Sequence, residues 1–250
     1  MKCAVSDFDR TLYVNEDISR ENLHAVANWQ AAGNLFIVAT GRDGASIREK
    51  LREYDLKPDR LILNNGAIIL DQDGKELFCR TLAPDTAIRV LLYLDGMGDE
   101  GSGVTTRCEK VNILSAKGTT SQKAGTRYLT MKEIGTLKDI VQIHRRRPED
   151  EGGISALCCE LNRLFPDISA YANVCNADIV AAGVDKSAAI EWIENREGGF
   201  DEILVIGDSA NDIKMVRKYK GAAPDHASPE VQEAASVVVK DVAEYLNAHL

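Results

Sequence analysis

Two carboxylates, Asp7 and Asp9, follow directly on the apolar run Cys3-Ala4-Val5 and open onto Arg10, Thr11 and Asn15. Within an extended strand, residues two apart point to the same face. If the chain stays extended here, Asp7 and Asp9 share one small volume. Like charges held that close need a cation, a shared proton or open water. A Mg²⁺ ion with a phosphate ester would use both groups, one carboxylate attacking phosphorus and the other handling the proton of the leaving group. The competing reading is an exposed, Asp-rich turn after a strand.

Other reactive groups recur in the same context. Thr40-Gly41-Arg42 follows Val38-Ala39, Lys186 precedes a helical stretch, and Gly207-Asp208-Ser209-Ala210-Asn211-Asp212 follows Leu204-Val205-Ile206. Singly, each has a structural alternative: Thr40 and Asp208 as helix caps, Lys186 as a solvated surface lysine. Together they bring a nucleophile, an acid/base, a hydroxyl, an ammonium and further carboxylates to strand ends, where open α/β sheets place their ligands. The run from Gly96 to Gly101 has the spacing G-x-G-x-x-G but follows a helix and opens none, so it reads as a loop and not as a dinucleotide site.

The elements that must position these groups alternate in type. Cys3–Ser6, Leu35–Ala39 and Leu61–Leu63 read as strands. Between them lie a helix over Ser19–Ala32, with Ser19 as cap and a stripe of Leu23, Val26, Ala27 and Gln30-Ala31, and a helix over Ala45–Tyr54. Apolar strands separated by amphipathic helices specify a parallel sheet covered on both faces. Ala67–Leu70 and Glu76–Arg80, joined by Asp71-Gln72-Asp73-Gly74, read as a hairpin. Near the C-terminus the alternation returns, with helices over Ser187–Asn195 and Ala210–Tyr219 and a strand over Glu202–Ile206. The middle differs: a helix over Pro84–Leu94, strands near Val104, Val111, Ile140, Ile168 and Ile179, and a helix ending at Phe165. The fold class is therefore α/β, a Rossmann-like parallel-sheet core with helices on both faces plus an inserted α+β domain. The expected boundaries are 1–82 and 183–250 for the core and 83–182 for the insert.

Bulk properties narrow the partners. The net charge of −9 opposes attraction to nucleic acid or to an anionic membrane. No leader-like apolar stretch precedes Asp7, and no apolar run is long enough to span a bilayer. Six cysteines lack a C-x-x-C pair, and Cys158-Cys159 are adjacent, which suits free thiols in a reducing cytoplasm. The four histidines are scattered and suggest no zinc cluster.

Five segments carry a resemblance. Asp7-Phe8-Asp9-Arg10-Thr11, Thr40-Gly41-Arg42, Asn65-Gly66-Ala67, Gly183-Val184-Asp185-Lys186 and Gly207-Asp208 with Asn211-Asp212 and Met215 resemble, in order, the motifs of the haloacid dehalogenase-like (HAD) hydrolases. The Asn-Gly-Ala element and the long insert are similar to the Cof-type branch, whose relatives act as sugar-phosphate, sucrose-phosphate and trehalose-phosphate phosphatases and as phosphomannomutase. The resemblance implies Asp7 as nucleophile, forming an aspartyl-phosphate, and Asp9 as general acid and then base. It implies Mg²⁺ held by Asp7, the Asp9 carbonyl and Asp208, with Asp212 as ligand or support. Thr40, Gly41, Lys186 and Asn211 would bind the phosphoryl group of a small phosphorylated substrate, Asn211 by orienting Lys186 or the phosphate. The insert would be a cap closing over the site. A phosphomutase and a catalytically silent phosphate-binding module are the alternatives on the same fold; Asp9, able to protonate an ester leaving group, favours a phosphatase.

Two departures stand out. Arg10 replaces the family's usual Gly, and Pro224-Asp225-His226-Ala227 replaces a Gly-Asn-Ala-like stretch. Arg10, Arg42 and Asn65 are possible substrate contacts, although Arg10 is first expected to point to solvent. In the insert, Arg145-Arg146-Arg147 before Pro148-Glu149-Asp150-Glu151 reads as a solvated turn, and Glu109, Lys110 and Lys117 carry no assigned role.

Overall fold

The structure is a computed structural model describing residues 1–98, 101–116, 126–147 and 150–250. Asp99 and Glu100 of the glycine-rich run, Lys117, and Pro148-Glu149 lie outside the described residues.

In chain order the first elements are β1 (Cys3–Asp7), α1 (Arg20–Ala31), β2 (Leu35–Ala39), α2 (Gly44–Glu53), β3 (Arg60–Leu63), a 3-10 turn (Asn64–Gly66), β4 (Ile68–Asp71) and β5 (Glu76–Cys79). Next come α3 (Pro84–Gly96), β6 (Ser102–Thr106), β7 (Lys110–Leu114), β8 (Tyr128–Thr130), β9 (Ile140–Arg146), α4 (Glu151–Leu164), β10 (Ile168–Asn173) and β11 (Asn176–Ala181). The chain ends with α5 (Lys186–Glu197), β12 (Ile203–Ile206), a 3-10 turn (Ala210–Asp212), α6 (Ile213–Lys218), β13 (Ala222–Pro224), α7 (Pro229–Ala234), β14 (Val237–Val239) and α8 (Val242–Asn247). Two compact units result: Met1–Phe78 with Asp185–Leu250, and Cys79–Val184.

The first unit is built on an eight-stranded sheet in the order β14-β13-β12-β1-β2-β3-β4-β5. It is parallel from β14 to β3 and turns antiparallel at β4. Alternate residues of neighbouring strands, Cys3, Val5, Ile37, Ala39 and Val205, face one apolar cluster with Ala189, Ile190 and Ile193 of α5 and with Met215 and Val216 of α6. The intervening Ala4, Phe36 and Val38 are buried as well, and α1 packs on β2 and on α8. Both faces of the sheet are thereby covered, as continuous apolar strands require.

Ser19 caps α1 as its sequence implies, accepting a hydrogen bond from the Asn22 N–H. The inward stripe is rotated from the expected one. Asn22, Ala25, Val26 and Trp29 are buried while Ala27 and Ala31 are exposed. Trp29 decides the face: its ring is the largest apolar group on the helix, and its Nε1–H finds the Leu35 carbonyl at 2.8 Å.

The second unit carries a six-stranded sheet in the order β10-β11-β9-β6-β7-β8. Its pairs are antiparallel except β7 with β8. Its own apolar core joins Val90, Leu91 and Leu94 of α3 and Ile154, Leu157 and Leu161 of α4 to Val104, Val111, Ile143 and Ile179 of the sheet.

Candidate active site

β1 lies between β12 and β2, and the chain crosses from one side of it to the other, which makes its C-terminal end a switch point of the sheet. Asp7 is the last residue of β1 and pairs with Ala39, so Thr40 follows immediately beside it. On the other side Ser6 pairs with Ile206, so Gly207 and Asp208 leave β12 at the same level. Strand register alone thus gathers three of the motifs.

Asp7, Asp208 and Asp212 are buried, and each offers a carboxylate oxygen within 4.8 Å of the others. Lys186 inserts between two of them, its Nζ 2.5 Å from Asp7 Oδ1 and 2.7 Å from Asp212 Oδ1, with no side-chain exposure. It opens α5, whose N-cap Asp185 accepts the Ala188 N–H. Asp212 Oδ2 accepts the N–H groups of Asp208 and Ser209 at 3.1 Å each. Both of its oxygens are therefore engaged, and it braces the loop that carries Asp208. Asp208 Oδ1 accepts from the Thr11 hydroxyl at 3.3 Å and Oδ2 from the Ser209 hydroxyl at 2.7 Å. Asp7 Oδ2 has no hydrogen-bond partner among the described residues.

Two glycines make this packing possible. A Cβ on Gly207 would lie 2.5 Å from the Asp212 Cβ and Cγ, so the Asp212 side chain occupies space that only glycine leaves. Gly66, at φ 108°, would bring a Cβ to 2.5 Å from the Asp185 carbonyl oxygen, one residue before Lys186. The Asn-Gly-Ala element therefore acts on the site from behind, by letting the start of α5 come close.

Charge balance explains the titration of the cluster. Burial raises the Asp7 carboxyl well above its ordinary value; Lys186 opposes this, while Asp212 and Asp208 add to it. Burial, then Asp212, raises Asp208 as well. Burial works against the Lys186 ammonium, but Asp212 and Asp7 outweigh it and hold its pKa above the usual lysine value. Lys186 stays charged and pairs with two of the three buried carboxylates, Asp7 and Asp212. The excess negative charge, the all-oxygen donor set and the unpartnered Asp7 Oδ2 fit a small hard dication, and Mg²⁺ is the cofactor these residues suit.

Asp9 is placed differently from the sequence expectation. β1 ends at Asp7, and the chain folds back as the Phe8 carbonyl accepts from Leu12 and Tyr13 N–H at 3.1 and 2.8 Å. The Asp9 carboxylate is not in the three-carboxylate cluster. It accepts two hydrogen bonds from Arg42, Nη2 at 2.6 Å and Nε at 2.8 Å. Arg42 in turn lies over the rings of Phe8 and Tyr13, which stack at 5.1 Å. Arg42, expected as a substrate contact, is thus engaged by Asp9.

Thr40 is buried, its Oγ1 accepting the Arg42 N–H at 3.1 Å and its carbonyl accepting the Asn65 N–H at 3.0 Å. Gly41 lies in the same loop, which leads through Asp43, the N-cap of α2. Asn211 donates to Asn65 Oδ1 at 2.9 Å; in this structure it orients Asn65 and not Lys186. Asn65 sits at φ 56°, a left-handed conformation that Asn tolerates. Arg10, first expected in solvent, is half-exposed with Nε 3.4 Å from Asp208 Oδ2. The support given by Thr11, Ser209 and the two glycines was not anticipated; the Gly before Asp208 and the hydroxyl after it were the only local signals.

Comparison with known proteins gives the family. The sequence profile of the haloacid dehalogenase-like hydrolases matches residues 4–245. An uncharacterised protein of Mycoplasma capricolum is 29% identical over 238 residues, spanning 87% of this chain and 88% of its own length. Phosphoglycolate phosphatase 2 of Saccharolobus solfataricus is 26% identical over 256 residues, spanning 94% of this chain and 84% of its own. Among solved structures, a HAD subclass IIB sugar phosphatase superposes with a TM-score of 0.82 over 100% of this chain and 99% of its own, at 19% identity. A haloacid dehalogenase-like hydrolase of B. subtilis gives 0.83 over 100% and 98%, at 20% identity. At that identity the two structures speak for the fold. With the profile match across nearly the whole chain and the buried aspartates at the sheet's switch point, the protein belongs to the haloacid dehalogenase-like hydrolases and has the site of a Mg²⁺-dependent phosphatase that uses an aspartate nucleophile on a small phosphorylated substrate.

Proposed function

We propose that the substrate is a sugar phosphate and that the protein is a cytoplasmic member of the Cof-type branch. The observation that carries the catalytic reading is Asp7: one oxygen is anchored by Lys186 and the other is unpartnered beside two further buried carboxylates. Asp7 Oδ2 attacks phosphorus in line, the ester oxygen leaves, and an aspartyl-phosphate forms. Asp9 gives the departing oxygen its proton, then takes one from the water whose oxygen attacks the phosphoryl group. Phosphate leaves and the Asp7 carboxylate is restored. For this Asp9 must turn from Arg42, which holds it at rest. Thr40, Gly41 and Lys186 provide donors for the phosphoryl oxygens, and Asn211 acts through Asn65 on the loop behind them.

Mg²⁺ held by Asp7, Asp208 and the Asp9 carbonyl, with Asp212 in support, would supply positive charge that lets an anionic carboxylate meet an anionic ester. Cys79–Val184 would serve as the cap. The Asn65-Gly66 element and the likeness to a sugar phosphatase support the branch and substrate class. The six free cysteines favour a reducing compartment.

The test is hydrolysis of p-nitrophenyl phosphate by the purified chain with Mg²⁺, followed by phosphate release across a panel of sugar phosphates and other phosphorylated metabolites. EDTA should abolish turnover, and Asp7→Asn should lower it by about four orders of magnitude or more. Turnover indifferent to either change would refute the mechanism, and a panel in which no sugar phosphate is preferred would refute the substrate class.

A further inference from the structure

Arg10 is out of place by conformation. It sits at φ 63°, a left-handed backbone that favours glycine and strains a long side chain. Its main chain is fixed on both sides: the N–H donates to the Tyr13 carbonyl at 2.8 Å, and the carbonyl accepts from His226 Nε2 at 2.6 Å. Among the described residues, the side chain is held by charge alone. Nε is 3.4 Å from Asp208 Oδ2, too long for a good hydrogen bond, and the side chain is 51% exposed against 1% for Asp208.

A cation arriving at Asp208 meets three occupants. The Thr11 and Ser209 hydroxyls can rotate their protons away at little cost. The guanidinium cannot lose its charge, so a dication seated on the same carboxylate is repelled by it until it swings into the water it already faces. Glycine at this position would offer no such competitor. We propose that Arg10 is a tethered counter-ion of Asp208, displaced when Mg²⁺ binds, so that this side chain weakens the protein's affinity for the cation. It is a positioning residue that sets how much Mg²⁺ the enzyme needs, and the inference rests on reading the aspartates as the Mg²⁺ site.

Calorimetric titration of MgCl₂ into the full, substrate-free chain tests it without turnover. Arg10→Gly, which suits the left-handed backbone and is expected to fold, should bind Mg²⁺ about three- to tenfold more tightly than wild type, the range expected when a half-exposed ion pair and its repulsion of a dication are removed. Arg10→Lys should stay near wild type. The gain in Tm on adding Mg²⁺ to Arg10→Gly should exceed that of wild type. Unchanged or weaker binding in Arg10→Gly would overturn the proposal, since Arg10 would then be neutral or would organise Asp208 for the cation. Absence of Mg²⁺ binding in every variant would overturn the metal site itself, which p-nitrophenyl phosphate turnover checks separately.

Discussion

Replacing Lys186 by Met keeps the length of the side chain and removes the one ammonium buried among three carboxylates. At separations of 2.5 and 2.7 Å, each pairing has a gross attraction of about 6 kcal/mol at an effective dielectric of 20. Most of that repays desolvation of the ions, and loss of one partner from a buried pair costs about 3–5 kcal/mol net. For a protein of this size the cost corresponds to a fall in Tm of roughly 6–20 °C. The orphaned carboxylates can escape part of the penalty by taking up protons, so the deficit should be smaller at pH 5 than at pH 8. Urea denaturation and calorimetry of metal-free protein at both pH values would measure it. Adding Asp212→Asn removes one stranded charge while keeping an acceptor for the Asp208 and Ser209 N–H groups, so the double variant should be more stable than Lys186→Met alone. A single variant within about 1 kcal/mol of wild type at pH 8, or a double variant no more stable than the single, would refute the charge accounting.

Three further expectations follow from the same geometry. Gly66→Ala drives a Cβ into the Asp185 carbonyl and strains a positive-φ residue; it should cost about 1–3 kcal/mol in urea unfolding, and a neutral result would show that α5 can shift freely. Arg42→Met releases Asp9 from its two hydrogen bonds. Since Asp9 then has no ion pair to break before it gives its proton, kcat should rise by up to about fivefold for an alkyl phosphate and stay near wild type for p-nitrophenyl phosphate, whose leaving group needs no proton; an equal change on both would separate Arg42 from proton transfer. Burial and neighbouring carboxylates raise Asp7 and Asp208 above the ordinary aspartate value of 3.8, so the folded state holds protons the unfolded chain has released. Their stabilising contribution is present in acid and is lost as pH rises from about 4 through the raised values. The gain in Tm from Mg²⁺ should therefore be larger at pH 8 than at pH 5, and the reverse order would contradict it.

Much of the site was legible because its residues sit where period and register leave no choice. A parallel strand buried on both faces fixes its own ends, so Cys3–Ser6, Leu35–Ala39 and Glu202–Ile206 placed Asp7, Thr40 and Asp208 at one edge before any packing was known. Lys186 was legible through the resemblance and the helix it opens. Asp9 was not, because two-residue spacing fixes a shared face only while the strand continues, and the three-dimensional demand of the Phe8 carbonyl ends it at Asp7. The pairing of Asn211 with Asn65 spans 146 positions and leaves no local trace. The rotated face of α1 shows a related limit: Trp29 outweighs smaller apolar residues that fit helical spacing equally well. In the insert, β8 was missed because its three residues, Tyr128–Thr130, are too short for alternation to register.

Lys186 meets a partner 179 positions earlier, and Thr11 meets Asp208 across 197. During synthesis on the ribosome, the nucleophile emerges 179 positions before its ammonium, and further still before Asp208 and Asp212. Until then β1 has only β2 beside it and an open edge where β12 will dock. A nascent or prematurely terminated product that stops short of Lys186 and Asp208 thus carries Asp7 without the means to fire it.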